Sequence, residues 1–194
     1  RAIGASELLE TICATAGSAA WETTYGPRLG PDPEDIPENA RYILLWGINS
    51  LSTNSHLTPF LKEARRRGAK VVHIDPYENL TSRFADLHLM LRPGTDAALA
   101  YALAHVLFRE GLLDWEYLGR VAVGLEEFQK EAEKWTPDRA SALTGVPEEA
   151  ILRLAREMGE AKRVFLRLGY GMTRHPRTGN ALRAVVVLPA LPGA

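Results

Sequence analysis

One continuous apolar run, one helical stripe and a second short strand-like segment follow one another in the first part of the chain. The run at 42–46 does not alternate with polar residues, which predicts a strand covered on both faces, as in parallel sheets, and the segment 70–74 predicts a second strand. Between them, apolar residues at helical spacing predict a helix over 56–67, which ends in arginines and is followed by Gly68. Together the three segments predict a βαβ unit with parallel strands and a right-handed crossover.

The rest of the pattern predicts two more strands and several helices. The strands are predicted at 87–91 and 164–168, and the helices at 6–16, 79–84, 97–109, 114–120, 125–135, 147–159 and 178–188. Gly17 is predicted to end the first helix, and the proline-rich residues 26–38 are predicted to form a loop. Helix 97–109 is apolar almost all round, which predicts a central, buried position.

Strands that alternate with helices predict an α/β fold. We expect a single three-layer α/β/α domain over residues 1–194, with an open, mostly parallel, dinucleotide-binding-like sheet. The chain begins with Arg1 and stops at Ala194, soon after an apolar run that needs burial. We therefore expect it to be a fragment of a larger protein with several domains.

Charge and composition indicate neither a nucleic-acid partner nor a transmembrane segment. The formal net charge is -1, with 46% apolar and 24% charged residues, as in ordinary globular proteins. No apolar run approaches the roughly 18 residues needed to cross a bilayer, and no targeting segment indicates a compartment. The single cysteine, Cys13, excludes an internal disulfide and any site built from several cysteines within this sequence.

The turns that follow the four predicted strands are the places where chemistry is expected. In open α/β sheets, ligands bind outside the carboxyl ends of the strands. Each of these turns carries glycine, aspartate or asparagine: 47–49, 75–76, 92–96 and 169–171. The loop after the first strand lacks the G-x-G-x-x-G pattern, so the standard dinucleotide fingerprint is absent.

Two of these turns have a binding interpretation and a purely structural one. Gly47 allows close approach to a ligand, Asn49 and Asn54 offer amide groups, and the helix start near Ser55 could hold a phosphate. Alternatively, this is a plain strand-to-helix turn. Asp75 could accept hydrogen bonds from ribose hydroxyls, or it could be a solvated turn residue before proline.

The remaining candidates are equally open when judged from the pattern alone. Asp96 could accept two N–H groups of a guanine edge, or it could cap the following helix. Cys13 could be a thiolate metal ligand, or a small buried side chain on a helix. Arg174 and His175 could contact an anion or be solvated, whereas His73 and His105 are interpreted as structural.

The chain nevertheless resembles a known family over nearly its whole length. The residues that carry the resemblance are Trp46-Gly47-Ile48-Asn49, Thr53-Asn54-Ser55-His56, Ile74-Asp75-Pro76, Arg92-Pro93-Gly94-Thr95-Asp96 and Gly169-Tyr170-Gly171-Met172-Thr173-Arg174-His175. They look like the large catalytic subunit of molybdopterin oxidoreductases, the dimethyl sulfoxide reductase family, which includes formate dehydrogenases and nitrate reductases.

The resemblance implies a bis(molybdopterin guanine dinucleotide) cofactor with molybdenum or tungsten. Gly47 and Asn49 would lie along the pyrophosphate, Asp75 at the ribose and Asp96 at the guanine. The cofactor-binding set it implies is Trp46, Gly47, Asn49, Asn54, Asp75, Pro76, Thr81, Pro93, Gly94, Asp96, Gly171, Met172, Arg174 and His175. The segment around Cys13 looks like the one whose cysteine, selenocysteine or serine ligates the metal, and a soft thiolate suits this metal class.

The parent protein would be an oxidoreductase, whereas this piece alone is not expected to catalyse. Its implied partners are the remaining domains of its own chain and electron-transfer subunits, with an iron–sulfur cluster as a further cofactor of the parent. One alternative is a non-catalytic relative that keeps the fold as a structural or nucleotide-binding subunit. A second alternative is a thiamine-diphosphate-binding domain, which also has a parallel sheet.

Overall fold

A parallel sheet runs through the middle of the computed structural model, which describes residues 13–26, 30–176 and 178–193. In the order β3-β2-β1-β4, its four strands are β1 (Tyr42–Trp46), β2 (Lys70–Ile74), β3 (Leu87–Leu89) and β4 (Val164–Leu168). The chain steps from β1 to β2 and β3, and then returns to the other side of β1. The sheet therefore has a switch point between β1 and β4, which is where ligands bind in folds of this type.

The central strand β1 is buried along its whole length. Leu44 and Trp46 pack into the larger apolar core on one face of the sheet, whereas Ile43 and Leu45 pack into a smaller core on the other face. This division follows from the alternation of side chains along a strand. The prediction of a strand covered on both faces is confirmed, as is the parallel β1–β2 pair.

Helices occupy most of the described residues outside the strands. They are α1 (Cys13–Tyr25), α2 (Ile36–Asn39), α3 (Ser50–Thr53), α4 (Thr58–Arg66), α5 (Leu80–Phe84), α6 (Asp96–Arg109), α7 (Trp115–Val121), α8 (Leu125–Glu133), α9 (Pro137–Thr144), α10 (Glu148–Ala161) and α11 (Thr178–Val186). Short 3-10 turns lie at Pro33–Asp35, Tyr170–Thr173 and Leu188–Ala190.

The apolar helix α6 is the centre of the larger helical layer, as its all-round apolar pattern predicts. It packs against α8, α9, α10 and α11, and α1 packs against α11. Residues of α2 and α4, including Ile36 and Leu61, cover the opposite face of the sheet. The three-layer α/β/α architecture is thereby confirmed. No helix in the described part of the chain is long and apolar enough to cross a membrane.

The predicted end of the first helix was wrong. The helix continues through Gly17 to Tyr25, because its packing against α11 and the Tyr170–Thr173 turn outweighs the roughly 0.5–1 kcal/mol that an interior glycine costs. A Cβ at Gly17 would lie 3.8 Å from Thr173 Cγ2, so this part of the helix faces that turn closely. The predicted residues 6–12 of this helix lie outside the described residues.

Other differences concern short elements. Part of the predicted 26–38 loop is helical, since Ile36 starts α2 and buries its side chain against α4. The helices α3 and α9 were not predicted, because α3 has only four residues and α9 shows no clear apolar stripe. The third strand ends at Leu89 rather than at residue 91, and Pro147 precedes α10 as its N-cap instead of occupying its first turn.

Candidate cofactor-binding site

A cavity of about 140 Å³ opens at the carboxyl ends of the strands, beside the switch point. All four strands contribute to it, through their last residues or the turns that follow them. The lining residues are Gly47, Ile74, Asp75, Pro76, Tyr77, Leu91, Pro93, Asp96, Gly171, Met172 and His175. The predicted turns of the chain, which are far apart in sequence, therefore meet around one space.

The carboxylate of Asp96 is the most deeply buried charged group of this wall, together with that of Asp75. The indole Nε1–H of Trp46 donates to Asp96 Oδ1 over 2.7 Å. Burial raises the pKa of the Asp96 carboxyl from its ordinary value, while the Trp46 hydrogen bond and the nearby His175 lower it. Asp96 is not the N-cap of α6, which is Thr95; it is the first residue of the helix, and its side chain accepts from Trp46. Its assignment to a guanine edge stays a prediction.

Asp75 forms the floor between β2 and the following turn. Its Oδ1 accepts from the backbone N–H of Tyr77 at 3.2 Å, and its backbone carbonyl accepts from His88 Nε2 at 3.1 Å. His73 Nε2 lies 3.8 Å from Asp75 Oδ2. The residue is buried, so it is not the solvated turn residue of the structural interpretation.

Three glycines allow the loop after β1 to touch the loop after β4. A Cβ at Gly169 would lie 2.0 Å from the Gly47 carbonyl oxygen, and a Cβ at Gly171 would lie 2.8 Å from the same atom. Gly47 itself has a φ of +61°, and a Cβ there would meet Met172 Cγ at 2.7 Å. Close contact between the two loops is therefore by itself enough to require glycine at positions 47, 169 and 171.

A buried hydrogen-bond network supports the loop after β1 from behind. Thr81 Oγ1 donates to Asn49 Oδ1 at 2.9 Å and accepts from the Leu51 N–H at 3.1 Å. The Nε2–H of His73 donates to the Ile48 carbonyl at 3.0 Å, so its Nδ1 accepts from the Ser82 hydroxyl at 2.9 Å. This network holds the backbone of the loop in one conformation.

The structure brings most of the predicted site residues to the cavity. Eight of them line it: Gly47, Asp75, Pro76, Pro93, Asp96, Gly171, Met172 and His175. Trp46 lies behind Asp96, and Gly94 lies beside His175, whose Cγ would be 3.6 Å from a Cβ at Gly94.

The other predicted residues lie away from the cavity. Asn49 and Thr81 belong to the supporting network, Asn54 follows α3 as its C-cap, and Arg174 is exposed after the Tyr170–Thr173 turn. The short helix α3, which starts at Ser50, lies between the β1 loop and α4, so Ser55 lies between two helices, and the expected phosphate position near it stays a prediction.

Sequence reasoning missed three lining residues: Ile74, Tyr77 and Leu91. Ile74 and Leu91 are apolar residues that any buried element would contain, so nothing in the pattern distinguished them. Tyr77 carried a signal, since it is an aromatic residue directly after Asp75-Pro76, and in the structure more than half of its surface is exposed.

Cys13 is half-buried at the start of α1. Within residues 13–26, 30–176 and 178–193, no group of three or more histidine, cysteine, aspartate or glutamate side chains could hold a metal ion. The helix α1, which begins at Cys13, packs against the Tyr170–Thr173 turn, and Met172 of this turn lines the cavity.

Comparison with known proteins identifies the family. The family model for molybdopterin oxidoreductases matches residues 13–194. The probable oxidoreductase YoaE of Bacillus subtilis is 41% identical over 98% of this chain, and dimethyl sulfoxide reductase DmsA of Escherichia coli is 35% identical over 88% of it. The chain belongs to the molybdopterin oxidoreductase family, as the resemblance implied, and not to the thiamine-diphosphate enzymes.

The chain spans about a quarter of the length of these relatives, 28% for YoaE and 24% for DmsA. A solved structure, that of acetylene hydratase from Pelobacter acetylenicus, superimposes with a TM-score of 0.83 over 93% of this chain and 24% of its own. The sequence identity of that pair is 23%, so the comparison supports the fold alone.

The contact between the two loops predicts a strong asymmetry between two glycine substitutions. Gly169→Ala should lower the free energy of unfolding by about 1–3 kcal/mol, because its methyl group would overlap the Gly47 carbonyl. Gly119→Ala is the control, since nothing lies within 4 Å of its added Cβ and alanine suits the helix α7. Urea unfolding measures both, and equal stability of the two variants would contradict the loop contact.

The buried, neutral His73 predicts a specific pH dependence of stability. Burial lowers the pKa of the imidazole from 6.5, so the unfolded chain binds a proton more readily than the folded protein. The free energy of unfolding should therefore fall as pH drops below about 6.5, by at most about 1.4 kcal/mol per pH unit.

His73→Gln should flatten this part of the pH profile, whereas the exposed His56→Gln should leave it as in the wild type. Urea unfolding at several pH values between about 7.5 and 5.5 measures the slope. A wild-type slope in His73→Gln would show that another group is responsible.

Proposed function

We propose that this chain binds a guanine dinucleotide portion of a bis(molybdopterin guanine dinucleotide) cofactor within a molybdenum or tungsten oxidoreductase. The observation that carries the proposal is the buried carboxylate of Asp96, held by Trp46 in the wall of a cavity at the switch point of the sheet. Family membership adds the class of cofactor.

The donor and acceptor chemistry of Asp96 fits guanine. An ionised carboxylate only accepts hydrogen bonds, and its two oxygens can accept from two neighbouring N–H groups. Guanine presents such a pair on its Watson–Crick edge, at N1–H and the 2-amino group. Adenine presents an unprotonated N1 beside a single amino group, so it would leave one carboxylate oxygen against an acceptor.

The size of the cavity fits one part of the cofactor. Complete ligand pockets occupy roughly 300–1,000 Å³, and this cavity measures about 140 Å³. The proposed contents are the base at Asp96 and the ribose near Asp75, with Gly47 beside the pyrophosphate. The remaining surface of the cofactor would be covered by further domains of the parent chain, which would also carry any iron–sulfur cluster and contacts to electron-transfer subunits.

Cys13 is proposed as the protein ligand of the metal. Its thiol lies half-buried at the start of α1, and this helix packs against the same turn that supplies Met172 to the cavity. The bound metal–pterin group would supply the redox chemistry of the parent enzyme. This chain would hold and orient that group, and we expect no catalysis by the 194-residue chain alone.

The guanine assignment predicts nucleotide selectivity in the isolated chain. The wild type should bind guanosine diphosphate more tightly than adenosine diphosphate or thiamine diphosphate. Asp96→Asn should weaken guanosine diphosphate binding by about 10–100-fold, because one charged acceptor becomes an amide donor. Isothermal titration calorimetry measures the affinities.

The exposed Asp138→Asn on α9 is the control for this experiment and should bind as the wild type does. Equal affinity of the wild type for the guanine and adenine nucleotides would contradict the assignment of Asp96 to guanine. Preferential binding of thiamine diphosphate would contradict the cofactor class.

The metal assignment predicts a spectroscopic change in the metal-loaded parent enzyme. Cys13→Ser should alter the electron paramagnetic resonance signal of the metal, because an oxygen donor would replace a soft sulfur donor. Cys13→Ala should alter it as well. An unchanged spectrum in both variants would return Cys13 to a packing role, and a parent protein without molybdenum, tungsten or pterin would support the non-catalytic alternative.

A further inference from the structure

Trp46 is fully buried although it ends a strand at the edge of the cavity. It is the last residue of β1 and lies between Ile74 of β2 and Leu168 of β4 in the register of the sheet. Its side chain has no exposed surface, and it is not among the residues that line the cavity. The Trp46 ring is therefore enclosed by protein atoms and lies behind the wall of the cavity.

The polar edge of this ring has one definite function in the structure. Its Nε1–H donates to Asp96 Oδ1 over 2.7 Å, a length typical of a hydrogen bond to a charged acceptor. The indole is a donor only, so its bond can be made to an acceptor such as a carboxylate oxygen. Because the ring is packed in the centre of the sheet, it provides a rigid point of attachment for a carboxylate on another element.

The bond leaves Asp96 able to accept further hydrogen bonds. A carboxylate has about four lone-pair directions; the Trp46 bond uses one of them on one oxygen, and the backbone N–H of Asp96 itself is a second donor to the side chain. Asp96 lines the cavity at the same time, in the first turn of α6. The indole thus restricts rotation of the carboxylate without filling its capacity to accept.

We propose that Trp46 is a positioning residue that holds the Asp96 carboxylate in the orientation needed to accept both donors of a guanine base. This inference rests on the proposed function and adds a determinant of base selectivity that never touches the ligand. Without the indole bond, the carboxylate turns about its own side-chain bonds, and the entropic cost of orienting it is added to binding.

The hydrogen bond from Trp46 also affects the ionisation of the Asp96 carboxyl, as do the charged groups around it. Burial raises the pKa of the carboxyl and the charge of Asp75 raises it as well, whereas the Trp46 hydrogen bond and His175 lower it. A protonated carboxyl would present an O–H to a guanine N–H, which removes one hydrogen bond. Guanine nucleotide binding should therefore weaken as the pH falls far enough to protonate Asp96, and we call this part of the binding profile its acidic limb. The pH of the acidic limb depends on the Trp46 hydrogen bond, because that bond lowers the pKa of Asp96.

Trp46→Phe tests the inference, because it removes the N–H and keeps most of the buried ring. Calorimetry should show guanosine diphosphate bound about 10-fold more weakly than by the wild type. The preference for guanosine over inosine diphosphate, which lacks the 2-amino group, should shrink. The acidic limb of the binding profile should move to higher pH, an effect that a merely structural role of Trp46 would not produce.

Trp135→Phe is the matched control, since the Trp135 indole also donates to a carboxylate, that of Glu131, at 3.4 Å and away from the cavity. It should leave affinity, selectivity and the pH profile unchanged. Wild-type affinity and pH profile in Trp46→Phe would overturn this inference alone, whereas absence of guanosine diphosphate binding by the wild type would overturn the proposed function and this inference with it.

A measurement on the wild type covers the case in which Trp46→Phe does not fold. In nuclear magnetic resonance spectra, the indole N–H signal of Trp46 should shift with pH, with the same midpoint as the acidic limb of guanosine diphosphate binding. The signal of Trp135 should not follow that midpoint. A Trp46 signal that is insensitive to pH across the acidic limb would overturn the inference.

Discussion

Burial of β1 on both faces is the constraint on which the rest of this structure depends. A strand without a solvated face needs helical layers above and below it, and its neighbours β2 and β4 must reach it through crossovers. The chain leaves β1 in one direction and returns on the other side, so the turns of the sheet meet at one edge. The position of the cavity is a consequence of this topology rather than of any single motif.

The same constraint explains which parts of the fold could be predicted. The continuous apolar run of β1 is conspicuous in the sequence, β1 and β2 were both predicted at their observed bounds, and the all-round apolar pattern of α6 indicated its central position. The wrong or missing predictions concern elements whose bounds are determined by packing against residues far away in the sequence. Gly17 is a helix terminator by local preference, but contact with α11 carries the helix past it, and α9 is defined by its contacts with α6 rather than by its own period.

The candidate site also has residues that could be predicted from the sequence and residues that could not. Residues directly after strands could be located from the sequence, because parallel strands place their carboxyl ends at a common edge. The partners of those residues could not be. Trp46 and Asp96 are 50 positions apart, and His73 reaches the Ile48 carbonyl across 25 positions. No local spacing rule relates such pairs, so the network behind the site became visible only in three dimensions.

The contact of Gly47 with Gly169 and Gly171 holds the loop after β1 against the loop after β4, although the two loops are far apart in the sequence. Neither loop can acquire a side chain at these positions without displacing the other, so the backbone of each loop fixes the position of its neighbour. A change in the shape of one loop would displace the other loop. Because α1 packs against the Tyr170–Thr173 turn, such a change would also displace α1. The frame of the cavity is therefore set by backbone contact between the two loops, and the side chains that line it, such as Asp96 and His175, set its chemistry.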